Sequence, residues 1–351
     1  MMRRFAPAVF MLASLSAASE TRVDTLVYPA GTRYADEYKV PVVSGIDERA
    51  ADKINLAIQH EILGIVPGHF ATPIFPEDER NSGTTSADFT VVRADAQIVS
   101  LDIGREFMGA YPSYGRTAMS FDVHDGNPIA ASDIFTPAGL KKAQSTIDKR
   151  LVAAIRKIIA HPDPGRIDPK NGDAADDLAT QRDAYNDCIE NIREHDWNTT
   201  FQLGDELSVK EGCGFPHVIQ ALDDVGEVEW KVSYASLAPD LTDYGRCLLV
   251  DRRSDCKRDH PTPAVGVWRG TLGKTAISLI GNQDGLVYLY DRYGEAIVLK
   301  ASTVTPGHWV IVRTNGEGPV IETFDLKADP EGGFIGTWTQ PGKPALPVRL
   351  H

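Results

Sequence analysis

The chain has 351 residues, 42% hydrophobic and 24% charged, an ordinary globular composition that excludes a disordered chain. Its 36 Lys and Arg against 49 Asp and Glu give a formal net charge of −13 with no basic tract, so it is not a nucleic-acid binder, because phosphate contacts need clustered cations. No stretch approaches the ~18 uninterrupted apolar residues of a membrane-spanning helix.

The N-terminus reads as an export signal over residues 1–18. Arg3 and Arg4 form a positive start, Phe5 to Leu15 is uncharged and mostly apolar, and Ser16-Ala17-Ala18 supplies the small residues a signal peptidase needs. The segment holds no Cys, so no lipid anchor is indicated. Its removal takes two Arg and no acid from the net −13, leaving −15.

Chain order then gives an α+β region followed by an all-β region. Thr25 to Tyr28 and Tyr38 to Val43 are extended runs, and Pro41 points to an edge or irregular strand. Asp47 can cap a helix whose stripe is Ile54, Ile58 and Ile62. Residues 64–87 read as a long loop. Strands follow at Phe89 to Val92, at Ile98 to Ile103 and around Met119, Phe121 and Val123, with a turn at Asp125-Gly126. Thr136-Pro137 opens a helix with the face Leu140, Ile147, Leu151, Ile155 and Ile158. After the break from Pro162 to Gly172, Ala174 to Glu194 is a second, highly charged helix, and the two read as a hairpin projecting from the sheet.

Short strands and turns occupy Phe201 to Trp230, and Tyr234 to Leu241 closes the first domain. The domain boundaries read as 20–245, a linker at 246–263 and a small β domain at 264–351. In the last of these, eight β runs separated by Gly-containing turns point to a sandwich or barrel. Trp268, Tyr288, Tyr290, Tyr293, Trp309 and Trp338 crowd this region. A core role outweighs a binding face, since the domain has few other large residues.

Cys188, Cys213, Cys247 and Cys256 read as two disulfides in an oxidising compartment. Three connectivities are open, and pairing of sequence neighbours is favoured. A zinc site is disfavoured because no C-x2-C pair is present. Asn198-Thr199-Thr200 is a glycosylation sequon, relevant only in a eukaryotic secretory pathway.

Catalytic signatures do not hold up. Gly273-Lys274-Thr275 imitates a phosphate loop, but Trp268 stands where its first Gly belongs. Asp168, Asp173, Asp176 and Asp177 fail the alternate spacing of a calcium loop. The nine His are dispersed, with no H-E-x-x-H and no G-x-S-x-G. No catalytic residue, metal ligand or cofactor is assigned.

The order of segments in the first domain resembles the ectodomain family of the anti-sigma factor RsiV, also found ahead of the catalytic domain in PdaC-type peptidoglycan deacetylases (the DUF4163 and DUF3298 type). The likeness rests on Val40-Pro41-Val42 through Ile54-Asn55, and on Val99-Ser100-Leu101 followed by Gly109-Ala110-Tyr111-Pro112. It continues through Met119-Ser120-Phe121-Asp122 and Ser132-Asp133-Ile134-Phe135, then Phe201 to Leu207 and Val232 to Leu237. It covers about residues 26–241. Met108 and Tyr111 stand where the family usually has Gly and His, and the deacetylase catalytic domain is missing.

The resemblance implies a periplasmic or secreted bacterial envelope protein that recognises a lysozyme-like muramidase or peptidoglycan without catalysis. It also implies candidate contacts at Gly109, Tyr111 and Tyr114 and along the acidic run Asp223, Asp224, Glu227 and Glu229. A cell-wall glycan hydrolase or deacetylase-type enzyme is the alternative, and a structural envelope protein with a protein-binding β domain is a third reading.

Overall fold

The computed structural model describes residues 20–29, 37–63, 83–108, 112–162, 174–192, 201–258, 266–282, 285–293, 297–305, 307–330 and 333–351. The export-signal reading at 1–18, Gly109, Tyr111 and the Asn198 sequon lie outside the described residues.

A five-stranded sheet opens the chain: β1 (Arg22–Pro29), β2 (Glu37–Ser44), β3 (Gly83–Ala94), β4 (Ile98–Met108) and β5 (Pro112–Asp122), in that order. Helix α1 (Glu48–Leu63) lies on one face, where Ile54, Ile58 and Ile62 meet Val40, Leu101, Ile103 and Phe121. Asp47 caps it, its Oδ1 accepting from the backbone N–H of Arg49 and Ala50 at 3.0 and 3.2 Å.

Pro41 falls on a stretch of β2 that is locally an edge, although β2 lies between β1 and β3 in the sheet order. β2 pairs along its length with β1, but touches β3 in parallel only at Tyr38 and Ala87, so Pro41 sits where β2 has already left β3. Beyond it, Asn55 of α1 replaces the missing neighbour: its Oδ1 accepts from Val43 N–H at 2.7 Å and its Nδ2 donates to Val43 C=O at 3.0 Å. β3 begins at Gly83, inside the stretch read as loop.

The opposite face of the sheet receives a second layer. It comprises α2 (Ala131–Ile134), α3 (Pro137–Ala160), α4 (Ala174–Asn191), a three-stranded sheet of β6 (Phe201–Leu203), β7 (Leu207–Gly212) and β8 (Glu227–Val232), then α5 (Tyr234–Leu237) and α6 (Asp243–Arg246). Thr136 caps α3, accepting from Gly139 N–H at 3.0 Å, and Pro137 occupies its first turn. Gly139 is required there, because a Cβ would stand 2.1 Å from the Asp240 carbonyl.

The two long helices do not project. Ala143 and Ile147 of α3 share a core with Phe201, Leu203, Leu207, Val209 and Trp230. Further along, Leu151 and Ile155 pack with Tyr185 of α4, Phe215 and Leu222. The charge on α4 is one solvated face, and its apolar stripe is short but used.

Of the segment read as a linker, the described part, 246–258, is packed. Leu248 and Leu249, in the widened turn Cys247–Asp251 that continues α6, are buried in the second core. Its charges are answered internally, Arg252 with Asp95 at 2.7 Å and Arg258 with Asp133 at 3.4 Å. Disulfides join Cys188 to Cys213, tying α4 to the end of β7, and Cys247 to Cys256, closing the loop ahead of Arg258.

The last third is a closed eight-stranded barrel: β9 (Gly266–Leu272), β10 (Thr275–Asn282), β11 (Gly285–Tyr290), β12 (Ile297–Thr305), β13 (His308–Thr314), β14 (Val320–Ala328), β15 (Phe334–Thr339) and β16 (Leu346–Leu350), with β16 pairing back to β9. Alternation places Trp268, Tyr288, Trp309, Phe324, Phe334 and Trp338 inside. Phe334 lies edge-on to both Trp268 and Trp309, with ring centroids 4.7 and 4.8 Å away. Inside the barrel, Glu322 accepts from the Tyr288 hydroxyl at 2.6 Å and pairs with Arg313 at 3.0 Å. The outer wall of β9 to β11 contributes Val267, Ile280 and Leu289 to the core beneath α1, so barrel and sheet share one apolar contact. The architecture is α+β, a mixed sheet with helices followed by an eight-stranded β-barrel.

Candidate functional site

The sequence-predicted contacts fall into two groups on different sheets. In the first, only Tyr114 is described. It lies on β5 and is 53% exposed. Strand register shows why it is held. On the face away from α1, Asp88, Gly104 and Arg116 are level with one another, and Ser86, Glu106 and Tyr114 form the next row.

Gly104 leaves a gap into which the Tyr114 hydroxyl leans. A Cβ on Gly104 would come within 2.5 Å of that hydroxyl and 2.6 Å of Asp88 Oδ1. Arg116 donates to the Tyr114 hydroxyl from Nη1 and sits 5.8 Å from the ring centroid. Its other nitrogens grip Asp102, Nε to Oδ1 and Nη2 to Oδ2, both at 2.8 Å. The Asp102 hydrogen bond is the largest cause of the upward shift in the Arg116 pKa. Asp102 is nearly buried, so this fork anchors Arg116 to the sheet, and Arg116 in turn fixes Tyr114. The result is an ordered aromatic on rigid strands, with the exposed carboxylates of Asp88 and Glu106 beside it.

Spacing alone does not reveal Asp88, Asp102, Gly104, Glu106 and Arg116 as neighbours. The signal is the antiparallel β4–β5 register, which pairs Met108 with Pro112 and so sets Glu106 opposite Tyr114.

The second group is largely occupied. Asp223 Oδ1 accepts from the Tyr185 hydroxyl and from Gly226 N–H, both at 2.9 Å, and Asp224 Oδ2 accepts from Gln181 at 2.8 Å. These bonds lash α4 to the turn before β8. Glu229 pairs with Lys231 at 3.0 Å and accepts from Ser208 at 2.8 Å, and the two hold its carboxyl below the usual range. Glu227 is exposed on the same strand.

A third polar cluster joins the end of β5 to the chain ahead of the barrel. Asp122 is 3% exposed and accepts from the Tyr244 hydroxyl at 2.8 Å, and its Oδ1 lies 2.8 Å from His124 Nδ1. Beside it Arg258 donates to the carbonyls of Pro128 and Asn127 at 2.8 and 3.2 Å, sits 5.2 Å from the Tyr244 ring centroid, and approaches Asp133 and Asp125 at 3.4 and 3.6 Å. Burial alone would weaken the guanidinium charge, but Asp125, Tyr244, Asp133 and Asp122 outweigh it and hold the proton more tightly. Burial likewise raises the Asp133 carboxyl above its usual value, with Arg258 opposing.

The Asp122–His124 pair has the form of half a general-base arrangement, yet Asp122 also serves Tyr244 and the backbone N–H of His124, which is a structural knot. All four cysteines are bridged, so no thiol nucleophile is available. Among the described residues no three His, Cys, Asp or Glu side chains gather as a metal site, and no helix is long and apolar enough to cross a membrane.

No protein-family profile matches the sequence, and no curated protein matches it. Solved structures similar to this chain include two DUF3298-family proteins. One is a DUF3298-family protein of Bacteroides fragilis, 16% identical, covering 68% of this chain and 98% of that chain, with a TM-score of 0.40. The other is a DUF3298-family protein of Pseudomonas aeruginosa PAO1, 12% identical, covering 64% of this chain and 94% of that chain, with a TM-score of 0.37.

Proposed function

We propose that this is an exported, non-catalytic recognition protein of the bacterial envelope that binds a basic, lysozyme-like protein through the outer face of β3 to β5. The observation that carries this reading is the arrangement at Tyr114. An exposed aromatic is fixed over Gly104 by the Asp102–Arg116 fork, and free carboxylates stand in the same rows. A rigid Tyr loses little entropy on binding and suits the centre of a protein interface. Asp88 and Glu106, on a chain of net charge −13, complement a cationic partner and speed its approach. The residue-level likeness to the RsiV ectodomain family supports the same class of partner, and the two disulfides suit an oxidising compartment.

Calorimetry of the full chain with hen-type and bacterial lysozymes tests the proposal. Binding at micromolar concentration is expected, weakening as salt is raised and lost in Tyr114→Ala. Binding to purified cell-wall sacculi with no affinity for any basic muramidase would overturn it.

A further inference from the structure

We propose that the barrel carries a second, independent site: an open groove on the outer wall of β14, β15, β16 and β9 that binds a short acidic peptide in an extended conformation. The groove has a volume of about 680 Å³. Strand register arranges its walls. Lys327, Ile335, Arg349 and Thr271 form one row across four strands, and Asp325, Thr337 and Pro347 form the next. Side chains at these positions alternate outward from the aromatic core, whose inward neighbours are Leu326, Phe334, Val348 and Leu350.

Three properties point to the ligand class. First, Lys327 and Arg349 are exposed and pair with no carboxylate among the described residues, although acids outnumber bases by 49 to 36 in the chain. Two strand spacings separate them, about 10 Å, so two carboxylates on one short peptide can each meet a cation. Second, Ile335 gives the floor between the cations an apolar surface, Pro347 extends it into the next row, and the Thr271 and Thr337 hydroxyls supply donors and acceptors for peptide groups. Third, the one acid in the groove is already engaged: Asp325 Oδ1 lies 2.8 Å from His308 Nε2. It occupies the row away from the cations and so fixes which end of the groove the anionic ligand can take.

The wall is also free in a topological sense. A closed barrel has no edge strand to lengthen, so recognition here must use side chains on the face. The surface the barrel gives to α1 is the wall of β9 to β11, which leaves the β14–β16 wall outside that contact.

The test uses the full chain and a fluorescent acetyl-Glu-Val-Glu-amide peptide, with Gln-Val-Gln as its neutral twin. Anisotropy should show saturable binding of the acidic peptide, at least about tenfold tighter than the neutral one, and a fall in affinity as salt rises from about 0.05 to about 0.3 M. The double variant Lys327→Gln/Arg349→Gln should lose about tenfold or more with an unchanged thermal melt, since both side chains are exposed. Tyr114→Ala should leave binding intact, which separates this site from the sheet face. A photo-crosslinking version of the peptide should label β14 to β16. Equal affinity for both peptides, undiminished binding by the double variant, or crosslinks confined to the sheet would each overturn the proposal.

Discussion

Arg258→Met removes a nearly buried charge while keeping much of the side chain's bulk, and its cost can be worked from the contacts. Arg258 has 12% of its side-chain surface exposed and stands 3.4 Å from Asp133, which is 16% exposed, and 3.6 Å from Asp125, which is 41% exposed. The Asp125 contact is partly screened by water and is worth about 1 kcal/mol or less. Asp125 acts more strongly on the Arg258 charge, but Asp133 is the more buried of the two, and removing one partner of a buried pair leaves the other uncompensated, at about 3–5 kcal/mol. The carbonyls of Asn127 and Pro128 also lose their donors. Allowing for water reaching them, the substitution should destabilise the first unit by about 3–4 kcal/mol.

Urea unfolding with disulfides intact, followed by far-UV circular dichroism, gives the number, and an unchanged m-value licenses the comparison. A second variant isolates the cause. Asp133→Asn keeps an acceptor for the Ala130 N–H, now bonded to Asp133 Oδ2 at 2.9 Å, but removes the charge. The double variant should therefore be less damaged than the sum of the singles, by about 2 kcal/mol. A loss below about 1 kcal/mol for Arg258→Met, or strict additivity in the cycle, would refute the view that Arg258 is there to neutralise buried carboxylates.

Other perturbations test separate parts of the fold. Gly104→Ala should change stability by less than about 1 kcal/mol, since only the movable ends of Tyr114 and Asp88 stand in its way, yet it should weaken partner binding in calorimetry by displacing Tyr114. Replacing Cys188 and Cys213 together by Ala should cost about 3.5 kcal/mol and replacing Cys247 and Cys256 about 2.6 kcal/mol, from loops spanning 25 and 9 residues, each read by urea unfolding. Glu322→Ala strands the Tyr288 hydroxyl and Arg313 at the barrel, and should cost about 2–4 kcal/mol, visible as an earlier loss of tryptophan fluorescence on heating. Because burial raises the folded-state pKa of Asp133, the folded chain holds that proton longer than the unfolded one. Its contribution is therefore present below the unfolded pKa of about 4 and lost as pH rises through the folded value. The difference between wild type and Asp133→Asn, measured by unfolding from about pH 3.5 to neutral, should show that fall, and a difference that grows with pH would contradict it.

The barrel was the most legible part of the sequence. Each of its β runs, from Val267 to Leu350, alternates about a turn that contains Gly or Asp, and the eight strands fall where the alternation puts them. Local rules also sufficed for Asp47 and Thr136 as caps and for Ile54, Ile58 and Ile62 as a buried stripe. What was not legible depends on partners far along the chain. Pro41 does mark a local edge, but that a helix residue, Asn55, takes over the open backbone groups at Val43 is not readable from it. Residues 246–263 look like a linker by charge, but Arg252 and Arg258 find Asp95 and Asp133 more than 100 positions earlier. The α4 charges suggested a projecting hairpin because the buried Tyr185, Cys188 and Ile192 stripe is narrow. At the sheet face, Tyr114 is named only through the family resemblance, while Gly104 and Arg116, which make it rigid, carry no motif.

The aromatic residues separate packing from recognition. Trp268, Tyr288, Trp309 and Trp338 crowd the C-terminal region and invite a binding reading, yet all four point inward and are at most 5% exposed. Their burial is what lets about 85 residues close a barrel without a helix, so they cannot also contact a partner while the barrel is folded. Recognition then falls to aromatics whose backbone faces outward and whose rings are held by other means. On the sheet, Tyr114 meets that condition through Arg116, Asp102 and the absence of a side chain at Gly104. On the barrel's outer wall no aromatic is available among the groove residues, and cations take that place. The two surfaces therefore differ in sign as well as in position. A partner that neutralises the sheet face has no reason to compete for the groove, and each can be removed by substitution without disturbing the core beneath it.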